Sequence, residues 1–316
     1  MKILNPLYIA LSWLLKLSFL LIIAFTIYII MPIKTTETIT IPKGSITKSI
    51  NHLKEQGYSL SSIDTYILAY LLKEPKSGTL TIGKGSMSRI KFLQKLSTAK
   101  EAIDVITLIP GETKDIFLEE LAKKEHLQLE KLITYYNQFS PYPEAGIIPD
   151  SYHLAKQSDE KTIIKTLIEQ SEKRYEALAV KYLKKYDKER WLRILTIASI
   201  IQKEAANNEE MPIVASVIYN RLNIDMPLQM DGTLNYGKYS HQKVTSKRIK
   251  EDKSGFNTYL NKGLPPYPIC SVSISAIKAT LNPNKSDYLY FMRNKNGLHD
   301  FTNSYKEHLK NIKKAK

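Results

Sequence analysis

From Leu7 to Met31 the sequence is apolar apart from Lys16 and a few hydroxyl side chains. Wound as a helix at ~1.5 Å per residue, such a run exceeds the ~30 Å hydrocarbon core of a bilayer. The run therefore predicts a transmembrane helix, with Lys16 near enough to one end to reach the headgroups. A cleaved signal peptide is the competing reading. It needs a short apolar region and a small-x-small cleavage site, and the one candidate, Ala24-Phe25-Thr26, lies inside the run. The expectation is an uncleaved single-pass anchor. Lys2 and Lys16 precede its deep section, and Lys34, Lys43 and Lys48 follow it with Glu37, so charge sets the orientation only weakly. No second run of this kind follows, which places everything after Ile33 on one side of the membrane.

The 316 residues are 43% hydrophobic and 9% aromatic, which excludes a disordered chain, a collagen-like repeat and a pure coiled coil. Forty-six Lys+Arg against 31 Asp+Glu leave a net charge of +15, so anionic neighbours are favoured. Seven of the basic residues are Arg and 39 are Lys, the hydrated point charge rather than the bidentate fork that reads phosphates and bases. With no zinc-finger spacing, basic zipper or RNA-recognition aromatic signature, nucleic acid is not an expected partner. Membrane lipid and cell-wall polymer remain. Cys270 is the one cysteine, so no disulfide within the chain and no cysteine metal site can form. The six histidines (His52, His126, His153, His241, His299, His308) show no HExxH or other ligand spacing, so no metal and no cofactor are expected.

Three segments after the anchor share a layout: residues 39 to 57, 80 to 98 and 107 to 125 each read strand, glycine turn, hydroxyl residue, helix. Gly44, Gly85 and Gly111 supply the turns, and Ser45, Ser86 and Thr113 are placed to cap the helices that follow. The likeness is either compositional or the mark of a small carbohydrate-binding module of the LysM kind between membrane and enzyme. Residues 58 to 72 and 126 to 140 read as further amphipathic helices. The proline-rich stretch 140 to 152 reads as an ordered loop into a second domain. The expected fold class is α+β with a single N-terminal transmembrane helix: a cytoplasmic tail and transmembrane anchor over residues 1–33, a small LysM-like α/β region over 34–142, and an α+β catalytic domain over 143–316.

The stretch from Trp191 to Tyr236 carries the chemistry. It opens with a helix that is apolar nearly all round, as a core helix is. At ~100° per residue Glu204 shares a stripe with Ile197, Ile200 and Ile201, while Gln202 points away. A carboxylate thus ends an apolar face. Buried there it has to be hydrogen-bonded or protonated, and burial raises its pKa toward the range of a general acid; at a frayed helix end it would simply reach solvent. Asn207 or Asn208 with Glu209, Glu210 and Pro212 marks the start of a second helix, which packs Ile213, Val214, Val217 and Ile218 inward. Two core helices then meet at a polar corner containing Glu204.

These residues resemble the endolytic murein transglycosylases, the YceG-like family. Its pattern around the catalytic glutamate appears here as Ala198-Ser199-Ile200-Ile201-Gln202-Lys203-Glu204, followed by Asn220-Arg221-Leu222 and by Leu228-Gln229-Met230-Asp231-Gly232-Thr233-Leu234-Asn235-Tyr236. Ser254-Gly255-Phe256-Asn257-Thr258-Tyr259, Gly263-Leu264-Pro265-Pro266-Tyr267-Pro268-Ile269, Tyr288-Leu289-Tyr290-Phe291 and His299-Asp300-Phe301 continue the match in order. Upstream, Glu144 with Pro149-Asp150-Ser151-Tyr152 and Pro110-Gly111-Glu112-Thr113 resemble two further family elements. The chain departs from the pattern at Gln202, where an acid is usual, at Ala145 and Gly232 in place of Gly and Pro, and at Val272-Ser273 in place of Pro-Gly.

The resemblance implies a peptidoglycan lytic transglycosylase that cleaves the β-1,4 bond between N-acetylmuramic acid and N-acetylglucosamine. The muramic acid's own 6-hydroxyl is then the nucleophile and one carboxyl suffices, in contrast to glycosidases, which use two. On that reading Glu204 is the catalytic acid and base, and Gln229, Asp231, Asn257, Tyr259 and His299 are candidates to bind substrate. Asp231 is otherwise a turn cap or, as a second carboxylate, the mark of a hydrolase. His299 bonds either the site or the backbone. A wall-binding scaffold that has lost activity through Gln202 and the loop changes stays open. The implied partners are peptidoglycan glycan strands and the membrane, with penicillin-binding proteins and elongation machinery at family level. The implied location is the cytoplasmic (inner) membrane, with the catalytic domain extracytoplasmic (periplasmic).

Overall fold

The computed structural model describes residues 6–315. Helices and strands are mixed, and the chain divides into two compact units: one runs to Asp104 and takes in His153–Gln157, the other holds Val105–Tyr152 and Ser158 onward. The apolar run forms α1 (Pro6–Ile30). Leu7–Ile30 is long and apolar enough to cross a membrane, the one such helix among the described residues. Its side chains stay exposed until Tyr28 and Ile29 meet the core of the first unit.

That unit contains β1 (Pro32–Thr35), β2 (Thr38–Ile41), α2 (Ile46–Glu55), α3 (Ser62–Tyr66), β3 (Gly78–Thr81), β4 (Gly85–Ser88) and α4 (Arg89–Thr98). β1 pairs antiparallel with β4, Pro32 opposite Ser88. β2 pairs antiparallel with β3, Thr38 opposite Thr81. Strand alternation turns Ile33, Ile39 and Ile41 onto Ile50 and Leu53 of α2 and Phe92 and Leu96 of α4. Each such side chain contributes ~1.5–3 kcal/mol by leaving water.

The first strand-turn-helix segment forms as its residues predict: Gly44 takes φ 138, and Ser45 Oγ accepts from Lys48 N at 3.3 Å at the start of α2. The second differs. Ser86 lies within β4, whose backbone is taken up by the ladder to β1, and α4 begins only at Arg89. In the third, Thr113 gives its hydroxyl to Gly237 O (2.9 Å), and the unpaired N–H of Lys114 is met by both oxygens of Glu144 (3.0 and 3.1 Å). A helix end needs partners for its first N–H groups, and here a residue thirty positions downstream supplies one. The helix expected over 58 to 72 is α3 followed by a π-type turn, Ile67–Leu71.

From β5 (Ile103–Thr107) the chain builds α5 (Lys114–Glu125), α6 (Leu129–Phe139), β6 (Ser151–Ala155), α7 (Glu160–Leu183), α8 (Lys188–Glu204), α9 (Met211–Asn223), α10 (Ser246–Glu251), α11 (Ile274–Leu281), the hairpin β7 (Tyr290–Arg293) and β8 (His299–Thr302), and α12 (Tyr305–Ala315). Packing takes residues 105 to 142, grouped by pattern with the small strand-turn-helix region, into the second unit. α8 buries every residue from Ile194 to Ile201, because it is enclosed by α9 and α11. Trp191, near its start, lies 5.8 Å from the Tyr175 ring. In the hairpin Tyr290 faces Thr302 and Arg293 faces His299, and α12 packs on it.

Candidate active site

Asp187 accepts from Arg190 N at 2.9 Å at the start of α8, and the helix ends at Glu204 as Ala205 takes an extended conformation. The buried stripe of Ile197, Ile200 and Ile201 leads to Glu204, so the carboxyl leaves the core at the rim of a cleft. Gly232 N–H donates to its Oε1 at 2.7 Å. Burial pushes the Glu204 carboxyl up to about 7; the Gly232 N–H draws it back, the negative Asp231 adds to the rise, and Arg221 opposes it. Such a group holds and releases a proton with equal ease near neutral pH. Gly232 also leaves room for the carboxyl: a Cβ there would sit 2.7 Å from Glu204 Oε1 and 2.8 Å from Lys203 Cβ.

The cleft, about 390 Å³, is lined by Glu204, Arg221, Gln229, Asp231 and Tyr259 on one side and by hairpin and α12 residues, among them Tyr290, Arg293, His299 and His308, on the other. A larger hollow of about 500 Å³ lies at the opposite end of α8, beside Arg193 and Pro265. Its Asp187 is occupied as the helix cap, and Glu189 is exposed, so size does not choose the site. No group of three or more His, Cys, Asp or Glu side chains is gathered to hold a metal among the described residues.

Residues 39–314 match the model of the YceG-like family. The chain belongs to that family. Among its relatives is the endolytic murein transglycosylase of Bacillus subtilis strain 168, 31% identical over 307 residues, covering 88% of this chain and 84% of the relative. The endolytic murein transglycosylase of Streptococcus pneumoniae R6 is 29% identical over 253 residues and covers 76% of this chain but 45% of its own length, so this chain spans less than half of that relative. The 2.6 Å crystal structure of a yceG-like protein, lmo1499 from Listeria monocytogenes, aligns with a TM-score of 0.58 at 26% identity, covering 87% of this chain and 99% of that one.

In this YceG-like protein four of the five residues expected to bind substrate line the same cleft as Glu204. Gln229 is exposed with φ 49, held by its N–H on Thr258 O (3.1 Å). Asp231 opens a short 3-10 turn, and its carboxylate accepts from Tyr259 OH at 2.8 Å, which is no turn cap. His299 gives its backbone N–H to Glu210 Oε1 (2.8 Å) and sets its ring Nδ1 2.7 Å from Oε2. Burial raises the Glu210 carboxyl, but the two His299 bonds, the Ala206 N–H and the His299 charge together outweigh it and hold the group below the ordinary value. The fifth, Asn257, is not brought to the cleft. It is fully buried, its amide donating to Ile249 O and Asp252 O (both 2.8 Å) and its oxygen accepting from Tyr259 N (3.1 Å). A side chain so engaged has nothing left for a sugar and instead shapes the loop that carries Tyr259.

Gln202 faces the other way, accepting from Ser273 N at 3.1 Å ahead of α11. It is a strut between α8 and α11, so an amide serves where an acid is usual. Gln202→Ala is expected to cost about 1 kcal/mol in thermal or urea unfolding while leaving glycan release near the parent level. Arg221, Tyr290, Arg293 and His308 line the cleft without having been singled out as site residues. Arg221 is buried, donates from Nε to Leu289 O at 2.6 Å, and lies 5.4 Å from the Tyr290 ring. The Asn220-Arg221-Leu222 motif was the available signal, but what an arginine on α9 faces depends on a hairpin some seventy residues later.

Proposed function

We propose that this protein is a membrane-anchored endolytic peptidoglycan lytic transglycosylase, cleaving the β-1,4 bond between N-acetylmuramic acid and N-acetylglucosamine and leaving 1,6-anhydro ends. The observation that carries the reading is the Glu204 carboxyl, raised to about 7 at the end of a buried helix face and opening on a cleft lined with Arg221, Arg293 and Tyr290. Glu204 first gives its proton to the bridging oxygen, so that the bond from C1 of muramic acid to that oxygen breaks and positive charge develops on the ring. The 6-hydroxyl of the same sugar then bonds to C1 and returns its proton to Glu204. No water is consumed, and the carboxyl ends as it began. Tyr259, Asp231 and Gln229 line the side of the cleft where the sugar's hydroxyls and amide would be held, and the cationic Arg293 suits the acidic substituents of the polymer. No cofactor takes part.

The second reading, a hydrolase with Asp231 as its second carboxylate, is favoured by the presence of Asp231 in the same cleft. Mass analysis of products from defined glycan strands separates the two. Ends lighter by one water mark a transglycosylase, ordinary reducing ends a hydrolase, and sacculus binding without release a scaffold. Asp231→Asn is expected to keep the anhydro product. Because the Asp231 charge helps to raise the Glu204 carboxyl, the variant's loss of rate on the alkaline side should begin at lower pH than in the parent. Loss of all release in Asp231→Asn would favour the hydrolase.

The anchor in this proposal is α1, within an anchor segment of residues 1–33 that includes a cytoplasmic tail, in the cytoplasmic membrane, with the remainder extracytoplasmic. The positioning region is LysM-like. Support for that comes from the β2, α2, α3, β3 order with β2 and β3 antiparallel. We put its boundary with the catalytic region at Asp104–Val105 rather than at 142/143, a reading supported by the division of the chain into two compact units. Synthases of the penicillin-binding class and the elongation machinery are the protein partners of this reading.

A further inference from the structure

The exposed face of α3 and the turn after it carries no charge. Asp64, Ile67 and Leu68 turn inward, while Ile63, Tyr66, Tyr70 and Leu71 face out, Tyr70 80% and Leu71 71% exposed. Tyr66 and Tyr70 stack with ring centroids 6.3 Å apart. Single exposed apolar residues are ordinary, but four adjoining ones mark a contact surface. Nothing in the catalytic reading uses them.

Their place in the first unit says what they meet. Tyr28, two residues before the end of α1, has its hydroxyl 2.6 Å from Ser61 Oγ and 2.8 Å from Asp64 Oδ2. Arg89 closes the joint, donating to Asp64 Oδ2 (2.7 Å), to Tyr28 O (3.2 Å) and, through its backbone N–H, to Met31 O (2.9 Å). At ~1.5 Å rise per residue, α3 is bolted to α1 within ~3 Å, along the helix axis, of the point where the apolar span ends. Lys73, Glu74 and Lys76 follow the apolar face and are exposed, a net charge of +1. Tyrosine is the residue type that settles at the headgroup level, and lysine reaches out to anionic lipid.

We infer that the Ile63, Tyr66, Tyr70 and Leu71 face lies in the interfacial layer of the bilayer that α1 crosses, making the first unit a membrane-seated platform rather than a domain on a loose tether. The inference rests on the reading of α1 as a membrane span. It commits to lipid as the occupant, because the face adjoins the span and is itself uncharged, with two lysines against one glutamate just beyond it.

The full chain in vesicles of phosphatidylethanolamine and phosphatidylglycerol, with and without bromine on the upper acyl carbons, tests both readings together. The two native tryptophans are Trp13 within α1 and the buried Trp191. Flotation with the vesicles and loss of Trp13 emission in brominated lipid report the span. In a Trp13→Phe background, the emission added by Tyr70→Trp, or independently by Leu71→Trp, is expected to be lost in brominated vesicles and kept in plain ones. A chain that floats and loses Trp13 emission, yet keeps the emission added at both positions, overturns the inference and leaves the anchor standing. A chain that neither floats nor loses Trp13 emission overturns both.

Discussion

Glu204→Gln is expected to reduce the release of anhydro-ended glycans by ~10²–10⁴-fold, the usual contribution of a positioned general acid and base. Glutamine keeps the shape and an oxygen able to accept the Gly232 N–H now found 2.7 Å from Oε1, so the fold and sacculus binding should persist. In the parent the first step needs the protonated carboxyl, so the rate should fall as pH rises through about 7. The stability sign follows from the same shift. The folded carboxyl sits at about 7 against 4.5 ordinarily, so between those values the folded chain holds a proton that the unfolded chain has lost. Its contribution is full below the ordinary value and is lost as pH rises through the folded one. Glu144, likewise buried and raised to about 7, imposes the same slope and remains in the variant. Glu204→Gln should therefore melt higher than the parent above pH 7 and lose that advantage toward pH 4, with calorimetry across the range as the check. Parent-level release by Glu204→Gln would end the assignment.

What was legible in the sequence is local in origin. Glu204 could be told from Gln202 because a helix period sorts side chains by direction, and Gln202 indeed turns to Ser273 while Glu204 turns to the cleft. Ser45 was readable as a cap because its bond spans three residues. Ser86 was misread as a cap because its strand is set by pairing with Lys34 across some fifty positions, which no local pattern records. Asn257 illustrates the limit for site residues: its type suits a sugar amide, but only the fold reveals that Ile249, Asp252 and Tyr259 have already taken its amide group. Arg221, Tyr290 and His308 were missed for the same reason, since α9, the hairpin and α12 meet only in three dimensions. Glu144 belonged to a motif, yet its service to α5 through Lys114 N was invisible without coordinates.

Gly232→Ala should damage the site while leaving every charged group in place, because the loop of this chain, unlike the family pattern with its usual Pro, is built around a residue with no Cβ whose N–H meets Glu204. The added Cβ would fall 2.7 Å from Glu204 Oε1 and 2.8 Å from Lys203 Cβ, so it cannot be accommodated by turning one flexible side-chain end aside. Either the carboxyl or the loop from Met230 to Leu234 must shift, and the N–H bond to Oε1 is then lost or lengthened. Displacing a catalytic group by ~1 Å costs on the order of 10²-fold in rate. That N–H is also the largest influence holding the Glu204 carboxyl down against burial, so its loss should move the alkaline limb of the rate profile to higher pH. A merely destabilised loop would lower the melting temperature and the yield of active enzyme without moving that limb. Rate and pH profile measured on the folded variant thus separate positioning from stability, and an unchanged rate with an unchanged limb would show that Gly232 does not hold the acid.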